Sequence, residues 1–106
     1  MSSLSTHVLD VERGVPAVGV PVALHQGAAL LAEARTNADG RIAHLASLEA
    51  GVYRIVFDAD AYFASQGRNA PFLKRVSVEF EVDAMVPHYH VPLLLSPYAC
   101  TSYRGS

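Results

Sequence analysis

The sequence contains five histidines, and imidazole is the side chain best suited to proton transfer near neutral pH. His88 and His90 flank Tyr89, so in a β-strand their imidazoles project from one face while Tyr89 points to the other. This spacing fits either a catalytic site or an ordinary pair of histidines on a sheet. His25 and His44 lack such a neighbour, and we interpret both as ordinary residues.

A third histidine raises another possibility for this pair, which is a metal site. His7 together with His88 and His90 would supply three imidazole ligands, a set that zinc accepts while leaving one position open. Because no cluster of cysteines or carboxylates accompanies them, we predict neither a metal nor another cofactor.

Other chemistries lack their sequence signatures. The single cysteine, Cys100, has no cysteine partner and no base that spacing places beside it, so we interpret it as structural rather than nucleophilic. The glycines form neither a G-x-G-x-x-G nor a P-loop pattern, and no G-x-S-x-G sequence is present. Nucleotide binding and acyl-serine catalysis are therefore unsupported.

The last four residues, Tyr103-Arg104-Gly105-Ser106, combine several reactive groups. If they are extended, Arg104 and Ser106 share one face, and Ser106 offers both a hydroxyl and a main-chain carboxylate. A frayed polar tail is the alternative, since terminal residues are commonly poorly ordered.

The pattern of the whole sequence predicts an all-β fold that would position these residues. Short apolar segments are separated at intervals of roughly ten residues by Gly, Pro, Asn or Asp, as in β-sandwiches. The clearest alternation runs from Val76 to Val82, with its apolar residues inward and Ser77, Glu79 and Glu81 outward. Strands are predicted over residues 6–11, 20–25, 28–36, 41–45, 51–57, 76–82, 88–95 and 103–106.

One short helix is predicted over residues 61–66. Asp58 or Asp60 would cap its first turn, and Gly67 would end it in the left-handed conformation. Pro16 and Pro21 predict a loop between the first two strands, because proline cannot donate to a sheet ladder.

Composition limits the size and the partners of the protein. With 106 residues, 51% hydrophobic and 17% charged, the chain is predicted to form one globular domain over residues 1–106. Its net charge of −2 and scattered cations argue against a nucleic-acid partner. A single cysteine and the lack of a signal-like N-terminus or a long apolar run predict a cytoplasmic protein with no membrane partner.

Three segments together resemble the 5-hydroxyisourate hydrolase family, also called transthyretin-like proteins. They are Leu4-Ser5-Thr6-His7-Val8-Leu9-Asp10, Thr36-Asn37-Ala38-Asp39-Gly40-Arg41, and the block from His88 to Tyr98 that closes with Tyr103-Arg104-Gly105-Ser106. The terminal tetrapeptide is the specific marker, and the likeness spans essentially the whole chain. The segment Ala99-Cys100-Thr101-Ser102 departs from the usual Gly-Tyr-Ser-Thr type, which leaves the local packing there open.

The resemblance implies a transthyretin-like sandwich of about eight strands in two sheets with one short helix. It also implies a homotetramer with active sites at the interface between dimers. The implied reaction is hydrolysis of 5-hydroxyisourate, the product of urate oxidation, to 2-oxo-4-hydroxy-4-carboxy-5-ureidoimidazoline. The residues implied as catalytic are His7, Arg41, His90 and Ser106, and those implied in substrate binding are Tyr103, Arg104, Gly105 and His88.

Two functions remain open for this fold, because a fold alone does not determine activity. As a hydrolase, the protein would use His7 and His90 to activate water and Arg41 to stabilise developing charge. Transthyretin itself carries small aromatic ligands, so a non-enzymatic carrier is the alternative. The terminal tetrapeptide and the matched histidines and arginine favour the hydrolase.

Overall fold

The computed structural model describes residues 1–106, which form ten β-strands and one α-helix. In chain order these are β1 (Ser2–Asp10), β2 (Val15–Pro16), β3 (Pro21–Gln26), β4 (Ala29–Arg35), β5 (Arg41–Leu48), β6 (Gly51–Asp58), α1 (Ala59–Ser65), β7 (Arg75–Val82), β8 (His88–His90), β9 (Leu93–Leu95) and β10 (Cys100–Ser102). The predicted all-β architecture with one short helix is confirmed.

The first sheet is organised around β1. The N-terminal half of this strand lies between β5, which is antiparallel to it, and β8, which is parallel. Its C-terminal half lies between the antiparallel β2 and the parallel β9, and β10 extends the sheet beyond β9. Strands from both ends of the chain therefore meet at β1.

The second sheet has the order β4-β3-β6-β7 and is antiparallel throughout. The inward side chains of the two sheets and of α1 form one hydrophobic core of 21 buried residues. On β7 the predicted alternation is confirmed: Val82 is buried, and Val76, Val78 and Phe80 pack against the core. No helix of this fold is long and apolar enough to cross a membrane.

The helix α1 begins and ends where local signals predict. The Asp58 carboxylate accepts a hydrogen bond of 3.0 Å from the N–H of Ala61, which satisfies one free donor of the first turn. Tyr62 and Phe63 are buried against the core, and Gly67 follows the helix with φ of 65°. The helix therefore packs against the core beside β3 and β7.

Three predictions of strand position were wrong. The strand predicted over residues 88–95 is divided into β8 and β9 around Pro92, which has no N–H to continue the ladder. The last strand is Cys100–Ser102, while residues 103–106 contribute only one bridge, between Gly105 and His90. The predicted loop after β1 contains the two-residue strand β2, whose Pro16 lies at the sheet edge.

Candidate active site

The register of the first sheet brings the candidate residues together from three strands. Along β1, Ser3, Ser5 and His7 alternate with buried residues and share one face. On one side of β1, Ser5 lies opposite His90 of β8. On the other side, His7 lies opposite Arg41, the first residue of β5.

A tight turn places Arg41 opposite His7. The side-chain oxygen of Asn37 accepts hydrogen bonds from the N–H groups of Asp39, at 2.9 Å, and Arg41, at 3.0 Å. Gly40 has φ of 72°, and a Cβ there would lie 2.5 Å from the carbonyl oxygen of Val8. The N–H of Val8 also donates to the Gly40 carbonyl at 2.8 Å. Only glycine fits this approach, so the turn sequence determines where β5 begins.

An open cleft of about 330 Å³ lies over this face of the sheet. Its lining residues are Ser5, Thr6, Arg41, Ile42, Ala43, His88, His90 and Ser106. The structure thus gathers three of the four predicted catalytic residues, with His88 beside them. His7 does not line the cleft itself, but it lies close enough for its charge to act on His90.

His90 is half-buried, and its surroundings disfavour a second proton. Burial lowers the pKa of His90 below the ordinary value of 6.5, and the charges of Arg41, His7 and His88 lower it further. A hydrogen bond to the Ser5 backbone opposes these effects without cancelling them. The imidazole is therefore neutral near pH 7 and has a nitrogen able to accept a proton.

The C-terminal tail is anchored to His90 through Gly105. The N–H of Gly105 donates to the carbonyl oxygen of His90 at 2.7 Å. A Cβ on Gly105 would lie 2.5 Å from Cδ2 of the His90 ring, so any larger residue would displace the imidazole or the tail. This contact brings Ser106 into the cleft, and the tail is not frayed at this point.

Tyr103 and Arg104 lie elsewhere in this chain. The Arg104 guanidinium is 4.9 Å from the ring centroid of Tyr89, which points away from His88 and His90 as the strand spacing predicts. Tyr103 and Arg104 line a separate cleft of about 200 Å³. Arg104 and Ser106 therefore do not share a cleft, as they would in an extended tail.

The sequence interpretation missed Ser5. Its hydroxyl oxygen is 2.7 Å from Nδ1 of His90 and 2.8 Å from Nε2 of His88. The available signal was its position two residues before His7, which puts both on one face of a strand.

The remaining candidates lie outside the cleft. His44 is exposed on β5, with Nε2 3.5 Å from the hydroxyl of Ser47, and Cys100 is exposed on β10. His25 lies on β3 of the other sheet. No group of three or more His, Cys, Asp or Glu side chains is placed to hold a metal ion.

The fold and the cleft together define a class: a transthyretin-like β-sandwich with histidines and an arginine on the open face of one sheet. The sequence profile of the HIUase/Transthyretin family matches residues 4–105, and the chain belongs to this family. The family and the fold expected from the terminal tetrapeptide and its companion segments are thereby confirmed.

Individual relatives agree with this assignment. A 5-hydroxyisourate hydrolase from Caulobacter vibrioides is 43% identical over 115 residues, covering 100% of both chains. The structure of Klebsiella pneumoniae 5-hydroxyisourate hydrolase is 42% identical with a TM-score of 0.92, again covering 100% of both chains. Sea bream transthyretin in complex with thyroxine is 33% identical with a TM-score of 0.90, covering 97% of this chain and 94% of that one.

Proposed function

We propose that this protein hydrolyses 5-hydroxyisourate to 2-oxo-4-hydroxy-4-carboxy-5-ureidoimidazoline in urate breakdown. The observation that carries the proposal is the cleft that unites Arg41, His90 and Ser106 beside His7. The proposal is also supported by full-length similarity to proteins named as 5-hydroxyisourate hydrolases in Caulobacter vibrioides and Klebsiella pneumoniae.

Opening a cyclic amide with water requires a base, stabilisation of an oxyanion and a proton for the leaving nitrogen. In the proposed mechanism His90 takes one proton from water, with His7 helping to hold that water, while the water oxygen bonds to the ring carbonyl carbon. The carbon–nitrogen bond then breaks, and the proton held by His90 passes to the leaving nitrogen. A neutral imidazole suits both steps, since it accepts a proton and its conjugate acid donates one.

The proposed role of Arg41 is to stabilise the negative charge that develops on the attacked carbonyl oxygen. Its guanidinium offers several N–H donors in a planar fork, which matches a flat, oxygen-rich ring. Ser106 would complete the hydrogen bonds of the water or the substrate. Gly105 contributes by keeping the tail against the His90 ring, where its N–H binds the His90 carbonyl at 2.7 Å.

The proposed assembly is a homotetramer with active sites at the interface between dimers. The cleft is open in a single chain, and Tyr103 and Arg104 line a different cleft in that chain. In a tetramer these two residues would contribute to substrate binding at the composite site. A mass measurement by light scattering, repeated on Tyr103→Ala and Arg104→Ala, tests this assembly.

The proposed location is the cytoplasm, in keeping with the single cysteine.

The deciding experiment follows the ultraviolet absorbance of freshly generated 5-hydroxyisourate with and without the protein. A hydrolase accelerates the decay in proportion to its concentration, whereas a small-ligand carrier of the transthyretin type leaves the spontaneous rate unchanged. His44→Asn is the matched control, because His44 is exposed on β5 and lies outside the cleft. Activity should also survive a chelator. A decay rate equal to the spontaneous rate would refute the proposal.

A further inference from the structure

A chain of hydroxyl–imidazole contacts runs along the face of β1 beside the cleft. Ser5 Oγ lies 2.7 Å from Nδ1 of His90 and 2.8 Å from Nε2 of His88. Ser3 Oγ lies 2.5 Å from Nδ1 of His88. The four side chains therefore form one continuous hydrogen-bonded series, from the half-buried His90 through the exposed His88 to the half-buried Ser3.

One direction of these hydrogen bonds satisfies every side chain in the series, because the series then ends on a carbonyl oxygen, which can only accept. Ser3 Oγ donates to the carbonyl oxygen of Pro87 at 3.4 Å. In this direction Ser3 accepts from Nδ1–H of His88, so a neutral His88 has a bare Nε2 that accepts from the hydroxyl of Ser5. Ser5 in turn accepts from Nδ1–H of His90. The ring of a neutral His90 is left with a bare Nε2.

We propose that Ser5 and His88 are positioning residues, which hold His90 in the tautomer whose Nε2 can take a proton from water. This inference rests on the proposed hydrolase function and assigns the groups that act on its base. Both ring nitrogens of His88 are engaged by Ser3 and Ser5, so none is left for the substrate. His88 therefore acts through Ser5 rather than as the substrate ligand that the resemblance implies.

The same contacts favour the charged state through which the reaction passes. When Nε2 of His90 accepts a proton, the ring becomes a cation, and its hydrogen bond to Ser5 becomes charge-assisted and stronger. Ser5 also donates to His88, which polarises its hydroxyl and strengthens the bond it accepts. Ser5 is only 8% exposed, so water cannot readily replace its hydroxyl.

Three variants on β1 test the role of the hydroxyl. Ser5→Ala should lower kcat about tenfold, equivalent to about 1.4 kcal/mol of barrier, with little change in KM. Ser5→Thr retains the hydroxyl and should restore most of the rate. Ser2→Ala is the matched control, since Ser2 is a buried serine of the same strand whose hydroxyl binds the carbonyls of Asp83 and Val86. It should leave kcat unchanged.

Imidazole nitrogen chemical shifts, measured by NMR near pH 7.5 without substrate, test the tautomer directly. Wild type should show a protonated Nδ1 and a bare Nε2 on His90, and Ser5→Ala should weaken this preference, because only the backbone contact of residue 5 then remains. A bare Nδ1 in wild type, or an unchanged kcat in Ser5→Ala, would overturn the inference. If wild type failed to hydrolyse 5-hydroxyisourate, the proposed function would fall, while the shifts would still decide whether Ser5 positions His90.

Discussion

The two faces of β1 carry polar clusters of opposite character. On the inward face, Asp10 is completely buried and accepts hydrogen bonds from the hydroxyl of Tyr62 at 2.8 Å, from Arg68 at 2.5 Å and from the N–H of Arg13 at 3.0 Å. On the outward face, His90 is held by Ser5 through Nδ1 alone, and its Nε2 has no hydrogen-bonding partner within the protein.

This difference separates a structural cluster from the proposed reactive one. The Asp10 cluster is closed: every buried side-chain nitrogen and oxygen in the protein has a partner. The histidine cleft is open on one side, so a water or a substrate can meet the free nitrogen of His90. One strand can serve both purposes because successive side chains project to opposite faces.

His90→Asn should remove activity and spare stability. An amide keeps some hydrogen bonding to Ser5 but cannot take a proton from water. We expect kcat to fall by about 10²–10⁴-fold, the usual cost of losing a general base. The thermal midpoint should stay close to wild type, because the side chain is only half-buried. A variant with near wild-type turnover would remove His90 from the mechanism.

Asp10→Ala should have the converse effect. It leaves Arg68 and Tyr62 without their buried carboxylate, and breaking a buried ion pair costs about 3–5 kcal/mol of unfolding free energy. Denaturant unfolding at pH 7 measures the loss, and kcat per folded molecule should be retained. A matched Glu12→Ala variant, which removes the other, exposed carboxylate bound to Arg68, should cost much less.

The contribution of Asp10 to the free energy of unfolding depends on pH through the pKa of its carboxyl group. Burial alone would raise the pKa of Asp10, but hydrogen bonds from Arg68, Tyr62 and the Arg13 backbone outweigh it and hold the pKa below 3.8. The unfolded state then binds the proton more readily. The stabilisation from Asp10 is complete above pH 3.8, the pKa of the unfolded state, and is lost as the pH falls through the lower pKa of the folded state. The stability gap between wild type and Asp10→Ala should therefore narrow in acid.

Gly105→Ala should disturb the histidine cleft and leave the Asp10 cluster intact. Its Cβ would lie 2.5 Å from Cδ2 of His90, so the ring or the tail must shift. Overpacking of this kind costs about 1–3 kcal/mol where the neighbour cannot move. Here the strain falls on the cleft, and we expect a loss of kcat with a smaller change in thermal midpoint. Gly14→Ala is the control for a glycine replacement away from the cleft, because no atom lies within 4 Å of its added Cβ. Its φ of 70° adds backbone strain but no contact with His90.

The parts of the fold that local signals specify could be predicted from the sequence. The cap at Asp58, the ending of α1 at Gly67 and the alternation along β7 depend on neighbouring residues alone. The family resemblance supplied His7, Arg41 and His90 as candidates, and the turn at Gly40 shows why Arg41 begins a strand opposite His7.

What could not be predicted depends on contacts between distant segments. Ser5 and His90 are 85 residues apart, and only the parallel pairing of β1 with β8 joins them. No periodicity within either segment encodes that pairing. The placement of Arg104 over Tyr89 likewise depends on how the tail leaves β10, because extended spacing alone would have put Arg104 beside Ser106.

The smallest predicted effect concerns the titration of His90 itself. Burial is the largest cause of its lowered pKa, followed by the charges of Arg41, His7 and His88. Removing one of these charges should raise the pKa only part of the way toward 6.5. Arg41→Gln removes the charge, whereas Arg41→Lys keeps it and loses only the planar fork.

An NMR titration of the His90 ring protons without substrate separates these outcomes. The pKa should rise in Arg41→Gln and change less in Arg41→Lys. Activity requires the neutral ring, so the acid limb of kcat/KM in wild type should lie below pH 6.5 and move upward in Arg41→Gln, once each profile is normalised to its own plateau. Both variants should lose plateau activity, because neither presents a guanidinium to the developing oxyanion. If the His90 titration were identical in all three proteins, Arg41 would be too well screened by solvent to act on the base. Its contribution would then be confined to contacts with the substrate.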